Sequence, residues 1–157
     1  MNAPTLTLIV NAEVYDPEPR GRQQLLLGGG QVLAMDERID IGGGAVSTID
    51  ADGALLIPGF VDALTHPCGG GGEGGFGNRT GEVDVETFVL AGVTSPIGAL
   101  GTDSLTRSLD VLYGTTRQLR ARGLDALMYT GAYRVPAPTL TGDIARDLTL
   151  LPSVIGV

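Results

Sequence analysis

From Ala54 onward the sequence carries four apolar runs, at residues 55–62, 92–100, 126–131 and 154–157, that are too continuous for half-exposed strands. Such runs are how strands covered on both faces of a parallel sheet read. Helix-like stretches at 83–91, 108–122 and 142–151 separate them. Strand alternating with helix predicts repeated βαβ units. Three such units and the start of a fourth strand make less than half of an eight-fold α/β barrel, which takes about 250 residues, where this chain has 157.

The first 57 residues have a different texture. Short strands are predicted at 6–10, 23–27, 31–35 and 45–49, with Gly28 to Gly30 and Gly42 to Gly44 between them. Glycine runs at that spacing serve hairpins and bulges. The expected organisation is therefore a small β domain over 1–57 and an α/β domain over 58–157. An apolar fraction of 43% against 18% charged residues predicts a folded chain, because disordered chains reverse that balance. Ten arginines, no lysine and eighteen acidic residues leave a net charge of −8. A surface of that sign repels phosphate backbones and anionic lipid, which excludes nucleic acid and membrane surfaces as partners. Residues 1–10 have no basic stretch ahead of their apolar residues, and no run approaches the roughly 18 apolar residues of a membrane span. The single cysteine, Cys68, excludes an internal disulfide framework and fits a reducing, cytoplasmic compartment.

The chemistry concentrates after the first buried run. Pro58-Gly59-Phe60-Val61-Asp62 leads through Ala63-Leu64-Thr65 to His66, which places an imidazole at the C-terminal end of a strand. That is the end that faces the active site in a parallel barrel, and imidazole binds divalent metals. A lone histidine is more often structural than a ligand, so its neighbours decide. Cys68 is followed by Gly69 to Gly72 and then Glu73. Successive glycines let backbone approach a ligand and expose amides, and Glu73 puts one carboxylate inside that loop. A phosphate-cradling loop is excluded, because the run has no Gly-Lys-Ser/Thr ending.

Taken together, the segment from Leu56 to His66, the Gly69 to Glu73 loop, Ala91-Gly92-Val93-Thr94-Ser95, Leu100-Gly101-Thr102-Asp103-Ser104, Thr130-Gly131-Ala132-Tyr133 and Val154-Ile155-Gly156-Val157 resemble the bacterial isoaspartyl dipeptidases of the amidohydrolase superfamily. The resemblance implies an α/β fold: the N-terminal part of a TIM-like (β/α)8 amidohydrolase barrel preceded by a small β-sandwich half-domain. It implies a metallohydrolase that cleaves β-aspartyl dipeptides with a hydroxide held between two zinc ions. By resemblance His66 is a zinc ligand. Gly71, Gly72 and Glu73 hold the substrate, Glu73 pairing its α-ammonium, and Thr102 helps. Tyr133 hydrogen-bonds the scissile carbonyl oxygen as charge develops, an oxyanion-type role.

The sequence departs from that pattern at named positions. The family places two histidines two residues apart on the first strand, so that both point the same way, and here the first of these positions is Leu64. The family's bridging ligand, a carboxylated lysine, follows the Val-Ile-Gly-Val segment, beyond Val157, as do its remaining ligands. Pro67 and Pro96 replace apolar residues, and Pro96 removes a donor from a strand that reads as central. The expectation is a chain that does not retain zinc, is inactive alone and self-associates. The alternatives are a non-catalytic interaction or oligomerising module, and another amidohydrolase of the cyclic-amidase type.

Overall fold

The computed structural model describes residues 6–43 and 45–157. Gly44 of the second glycine run and the first half of the 1–10 stretch lie outside the described residues. The chain divides into two compact units, Met1–Pro58 and Gly59–Val157.

The first unit is one sheet, ordered β3-β2-β1-β4, with β5 also on β1. Its strands are β1 (Leu6–Asp16), β2 (Glu18–Gly28), β3 (Gln31–Asp36), β4 (Val46–Asp50) and β5 (Leu55–Leu56). β1 and β2 are longer than predicted and form an antiparallel hairpin. Gly29 and Gly30, at φ +59° and +76°, turn β2 back into β3. The hairpin expected between the next two strands is corrected, since β3 and β4 are not neighbours in the sheet. β4 pairs with β1 in parallel, so the segment after β3 must cross over rather than fold back. Asn11, at φ +57°, creates a bulge where the β1 register jumps between Ile9 and Ala12, and its side-chain amide donates to Asp50 Oδ1 at 2.9 Å. Ala12, Val14 and Leu25 form the small core of this unit.

The run 55–62, expected as one strand, is two. β5 belongs to the first unit, and β6 (Phe60–Thr65) opens the second. Pro58, which has no N–H to give a ladder, stands between them.

In the second unit β6, β7 (Val93–Gly98), β8 (Leu127–Tyr129) and β9 (Val154–Gly156) pair in parallel in that order. They alternate with α1 (Val85–Leu90), α2 (Leu109–Ala121) and α3 (Ile144–Leu150). Each helix lies inside its predicted range, trimmed by one or two residues at each end. The Ser108 hydroxyl caps α2 through the amide of Val111, and the Asp143 carboxylate caps α3 through the amide of Arg146. Leu109, Leu112, Thr116 and Leu119 line one face of α2. Leu109 and Leu112 pack with Cys68, Leu100, Met128 and Val154, while Leu119 joins Val85, Phe88, Leu124 and Ala126 in a second cluster.

Two expectations about the strands come out differently from each other. Pro96 is fully buried in β7, between β6 and β8. The β6/β7 register is irregular on both sides of the Val61 to Asp62 pairing, so the ladder breaks next to the missing donor. Burial of β6, by contrast, is corrected. Phe60, Val61 and Leu64 are 54, 64 and 62% exposed, because β6 is an edge strand with only β7 beside it.

Candidate functional site

In a parallel sheet the loops that leave the C-terminal strand ends gather at one edge, where ligands bind. Here that edge carries His66 after β6, Thr102 and Asp103 after β7, Thr130 to Tyr133 after β8, and Val157 after β9. A cavity of about 510 Å³ opens among them, lined by Leu64, His66, Ala99, Tyr129, Tyr133 and Val157 with their neighbours.

His66 is held by Ala99, whose carbonyl oxygen lies 2.9 Å from the imidazole Nδ1. A carbonyl only accepts, so Nδ1 carries a proton here, and in the neutral tautomer that fits this contact Nε2 is the nitrogen with the lone pair. This is the arrangement by which a backbone carbonyl orients a metal-ligating histidine. Gly70 is packed against the ring; a Cβ there would lie 3.0 Å from His66 Cδ2. Tyr129 lines the cavity and donates its hydroxyl to the carbonyl of Ala63 at 3.1 Å. Tyr133, in contrast, is 79% exposed at the cavity rim.

Glu73 and Thr102 meet in an adjoining hollow of about 320 Å³, together with Gly72, Phe76 and Asp103. The Thr102 hydroxyl donates to Glu73 Oε1 at 2.5 Å. That hydrogen bond holds the Glu73 carboxyl below the usual glutamate range, helped by its own backbone amide. Gly71 is tied into a bridge with Arg79, and the amide of Gly72 donates to the Asn78 carbonyl at 2.7 Å. The sequence-predicted residues therefore fall into two neighbouring groups, His66 with Tyr133 and Glu73 with Thr102 and Gly72.

Three contributors were not found from sequence. Arg107 is buried and reaches the carbonyls of Gly70 and Thr80. Asp103 accepts from the amide and hydroxyl of Thr106 and pairs with Arg79 Nε at 3.3 Å. Asp147 of α3 is completely buried and accepts from Thr130 Oγ1 (2.6 Å), Thr141 Oγ1 (2.7 Å) and the amides of Leu140 and Thr141. Asp147 thereby fastens both ends of the loop that carries Tyr133.

The donor set does not fit a zinc pair. His66 is the only histidine of the chain. Its neighbour on the cavity wall two residues back is Leu64, which offers no lone pair. Cys68 is buried, which pushes its thiol up and keeps it protonated, and a metal takes the thiolate. Among the described residues no three side chains of His, Cys, Asp or Glu are grouped to hold a metal ion.

No family model matches the sequence. Over 69 residues, 43% of the chain, it is 39% identical to a dihydroorotase of Elusimicrobium minutum, of which that stretch is 16%. Its fold is also that of the N-isopropylammelide isopropylaminohydrolase of Burkholderia multivorans, with a TM-score of 0.57 at 19% identity over 84% of this chain and 40% of that one. Fold and strand-end site together place the likeness among the amidohydrolases.

Within that class, the chain resembles the N-terminal portion of a β-aspartyl dipeptidase. Crystal structures of the Fervidobacterium islandicum enzyme match it at a TM-score of 0.92 and 41% identity, over 98–100% of this chain and 41–42% of theirs. One of these was solved in complex with the β-Asp-Leu dipeptide. The chain thus spans about two fifths of that enzyme's length. Among the described residues no helix is long and apolar enough to cross a membrane.

Proposed function

We propose that these residues form the substrate-anchoring part of a β-aspartyl dipeptidase-type amidohydrolase, comprising the opening strands of a TIM-like barrel and the β-sandwich half-domain before it. The observation that carries the reading is the 41% identity, along essentially the whole chain, to an enzyme solved with β-Asp-Leu. The geometry supports it. Glu73, kept ionised by Thr102, offers a carboxylate to a ligand ammonium beside Gly71 and Gly72. Tyr133 stands at the rim of the neighbouring cavity, where its hydroxyl can donate to a carbonyl oxygen of the same ligand. A compartment that keeps Cys68 reduced, such as the cytoplasm, fits this role.

Among the described residues no ligand set is grouped to hold the metal that would activate a hydroxide, so binding without hydrolysis is expected of these 157 residues. Titration of the chain with β-aspartyl-leucine tests the reading. Saturable binding is expected in the millimolar range, about −4 kcal/mol, without turnover and abolished by Glu73→Gln. Equal binding of leucyl-leucine, which lacks the β-aspartyl group, would sink it.

Leu64, and the lack of a grouped metal-ligand set among the described residues, favour a second reading, a non-catalytic interaction module. That reading expects no dipeptide binding at all, so the same titration separates the two.

A further inference from the structure

Arg107 is 8% exposed. Among the described residues the ion pairs join Arg20, Arg79, Arg120 and Arg122 to carboxylates, and Arg107 is in none of them. A buried guanidinium is costly unless its donors are satisfied. Here two backbone carbonyls do that. Nη1 donates to Gly70 O at 2.7 Å, and Nη2 donates to Thr80 O. These two carbonyls lie on opposite arms of the glycine-rich loop. The arms are closed against each other by Gly70 N to Thr80 Oγ1 (2.8 Å), Thr80 N to Gly70 O (3.0 Å) and Gly72 N to Asn78 O (2.7 Å).

A separate feature of the chain answers to the same contact. Gly69 sits at φ +95°, and a Cβ there would lie 2.5 Å from Arg107 Nη2 and 2.6 Å from Thr80 O. Only glycine adopts that backbone freely, and only glycine leaves room for the guanidinium. The loop and the arginine are thus fitted to one another.

We propose that Arg107 is a positioning residue for the ammonium-anchoring loop. Its planar fork spans both arms and so fixes where Gly71, Gly72 and Glu73 stand relative to Thr102. This deepens the reading of Glu73 given above and rests on it only for the identity of the ligand group. The fork geometry is the operative feature, since a lysine ammonium is a point charge that cannot hold two carbonyls in the same fixed plane. The titratable and charged groups around Glu73 are the His66 imidazole and the Arg79–Asp103 pair, and none of them is altered in the test.

The test compares the 157-residue chain with its Arg107→Lys, Arg107→Met and Gly69→Ala variants by two readouts. Amide exchange across residues 70–80 reports loop closure, and the Glu73 carboxyl carbon resonance, followed against pH, reports the Thr102 contact. All three variants are expected to speed loop exchange about tenfold or more while α2 stays protected. They are also expected to move the Glu73 titration up toward that of an ordinary glutamate. If Arg107→Lys behaves as the parent in both readouts, charge alone suffices and the proposal fails. It fails equally if Gly69→Ala, which keeps the arginine, leaves loop and Glu73 unchanged. Should Arg107→Met unfold α2 as well, the other two variants still decide. Neither readout involves dipeptide binding or turnover, so failure of the dipeptidase reading and failure of this one are seen separately.

Discussion

Leu64 and His66 stand two residues apart at the end of β6, and both line the same cavity. Side chains at that spacing share a face of a strand, so the wall that could present two imidazoles presents one imidazole and an isobutyl group. A single imidazole ligand holds zinc too weakly to survive dialysis. The purified chain is expected to contain essentially no zinc by elemental analysis, and about one ion or more per chain would contradict this. Leu64→His should raise zinc affinity measurably without producing hydrolysis of β-aspartyl-leucine. Turnover near 1 per second, an ordinary enzymatic rate, would show that ligands outside the described grouping complete the site.

The short hydrogen bond from Thr102 to Glu73 makes a second prediction. It is the largest cause of the lowered Glu73 pKa, so Thr102→Val should raise that pKa toward the usual value. In the proposed reading, dipeptide binding depends on the ionised form. It should hold above the folded pKa and fade as pH falls through it, and in Thr102→Val the fade should begin at higher pH. Binding titrations from pH 7 to pH 3 would show this. Identical pH profiles in parent and variant would remove Thr102 from the account.

Asp147 carries a prediction about stability. Burial works against its charge, yet the hydrogen bonds from Thr130, Thr141 and the amides of Leu140 and Thr141 outweigh this and lower its pKa from 3.8. A carboxyl whose folded pKa is depressed stabilises the fold above its unfolded value, and that contribution is lost as pH falls through the folded value. Urea stability should therefore drop as pH falls below about 4 and flatten in Asp147→Asn. At pH 7 Asp147→Asn should cost about 2–4 kcal/mol, because it replaces an acceptor with a donor facing buried donors. A loss under roughly 0.5 kcal/mol, the range of ordinary surface substitutions, would contradict the buried network.

Much of this was legible in the sequence. The helices were legible only as stretches between the apolar runs; the structure adds that Ser108 and Asp143 cap two of them and that Leu109, Leu112 and Leu119 line the buried face of α2. His66, Glu73 and Thr102 were singled out from short motifs and from the resemblance, and the structure brings Thr102 onto Glu73 and sets His66 in the wall of the larger cavity. The residues that hold them were not legible. Arg107 acts 37 residues away on Gly70, Tyr129 66 residues away on Ala63, and Asp147 17 residues away on Thr130. Each looks like an ordinary helix, loop or strand residue until the chain folds, since nothing local marks an arginine or aspartate that will be buried. The crossover before β4 was missed for a similar reason. Glycines license a turn, but which strand the returning chain pairs with is decided by the sheet.

The exposed apolar surface of the second unit makes the last prediction. β6 and β9 are the edge strands of its sheet. Phe60, Val61 and Leu64 on the one, and Ile155 on the other with Val157 just beyond it, are 46 to 64% exposed. Edge strands are normally blunted by charge, bulges or cover, because their unpaired backbone groups invite another strand. β9 carries no charged residue. Contiguous apolar patches beyond a few hundred Å² are uncommon on soluble monomers, so this surface should be buried between copies of the chain. At micromolar concentration, light scattering should report species larger than 16.1 kDa. Phe60→Arg with Ile155→Lys, which put charge on both edges, should shift the population toward monomer while leaving α2 protected from exchange. A parent chain that runs as a sharp monomer, with strongly protected amides in both β6 and β9, would mean that the unit closes its own edges.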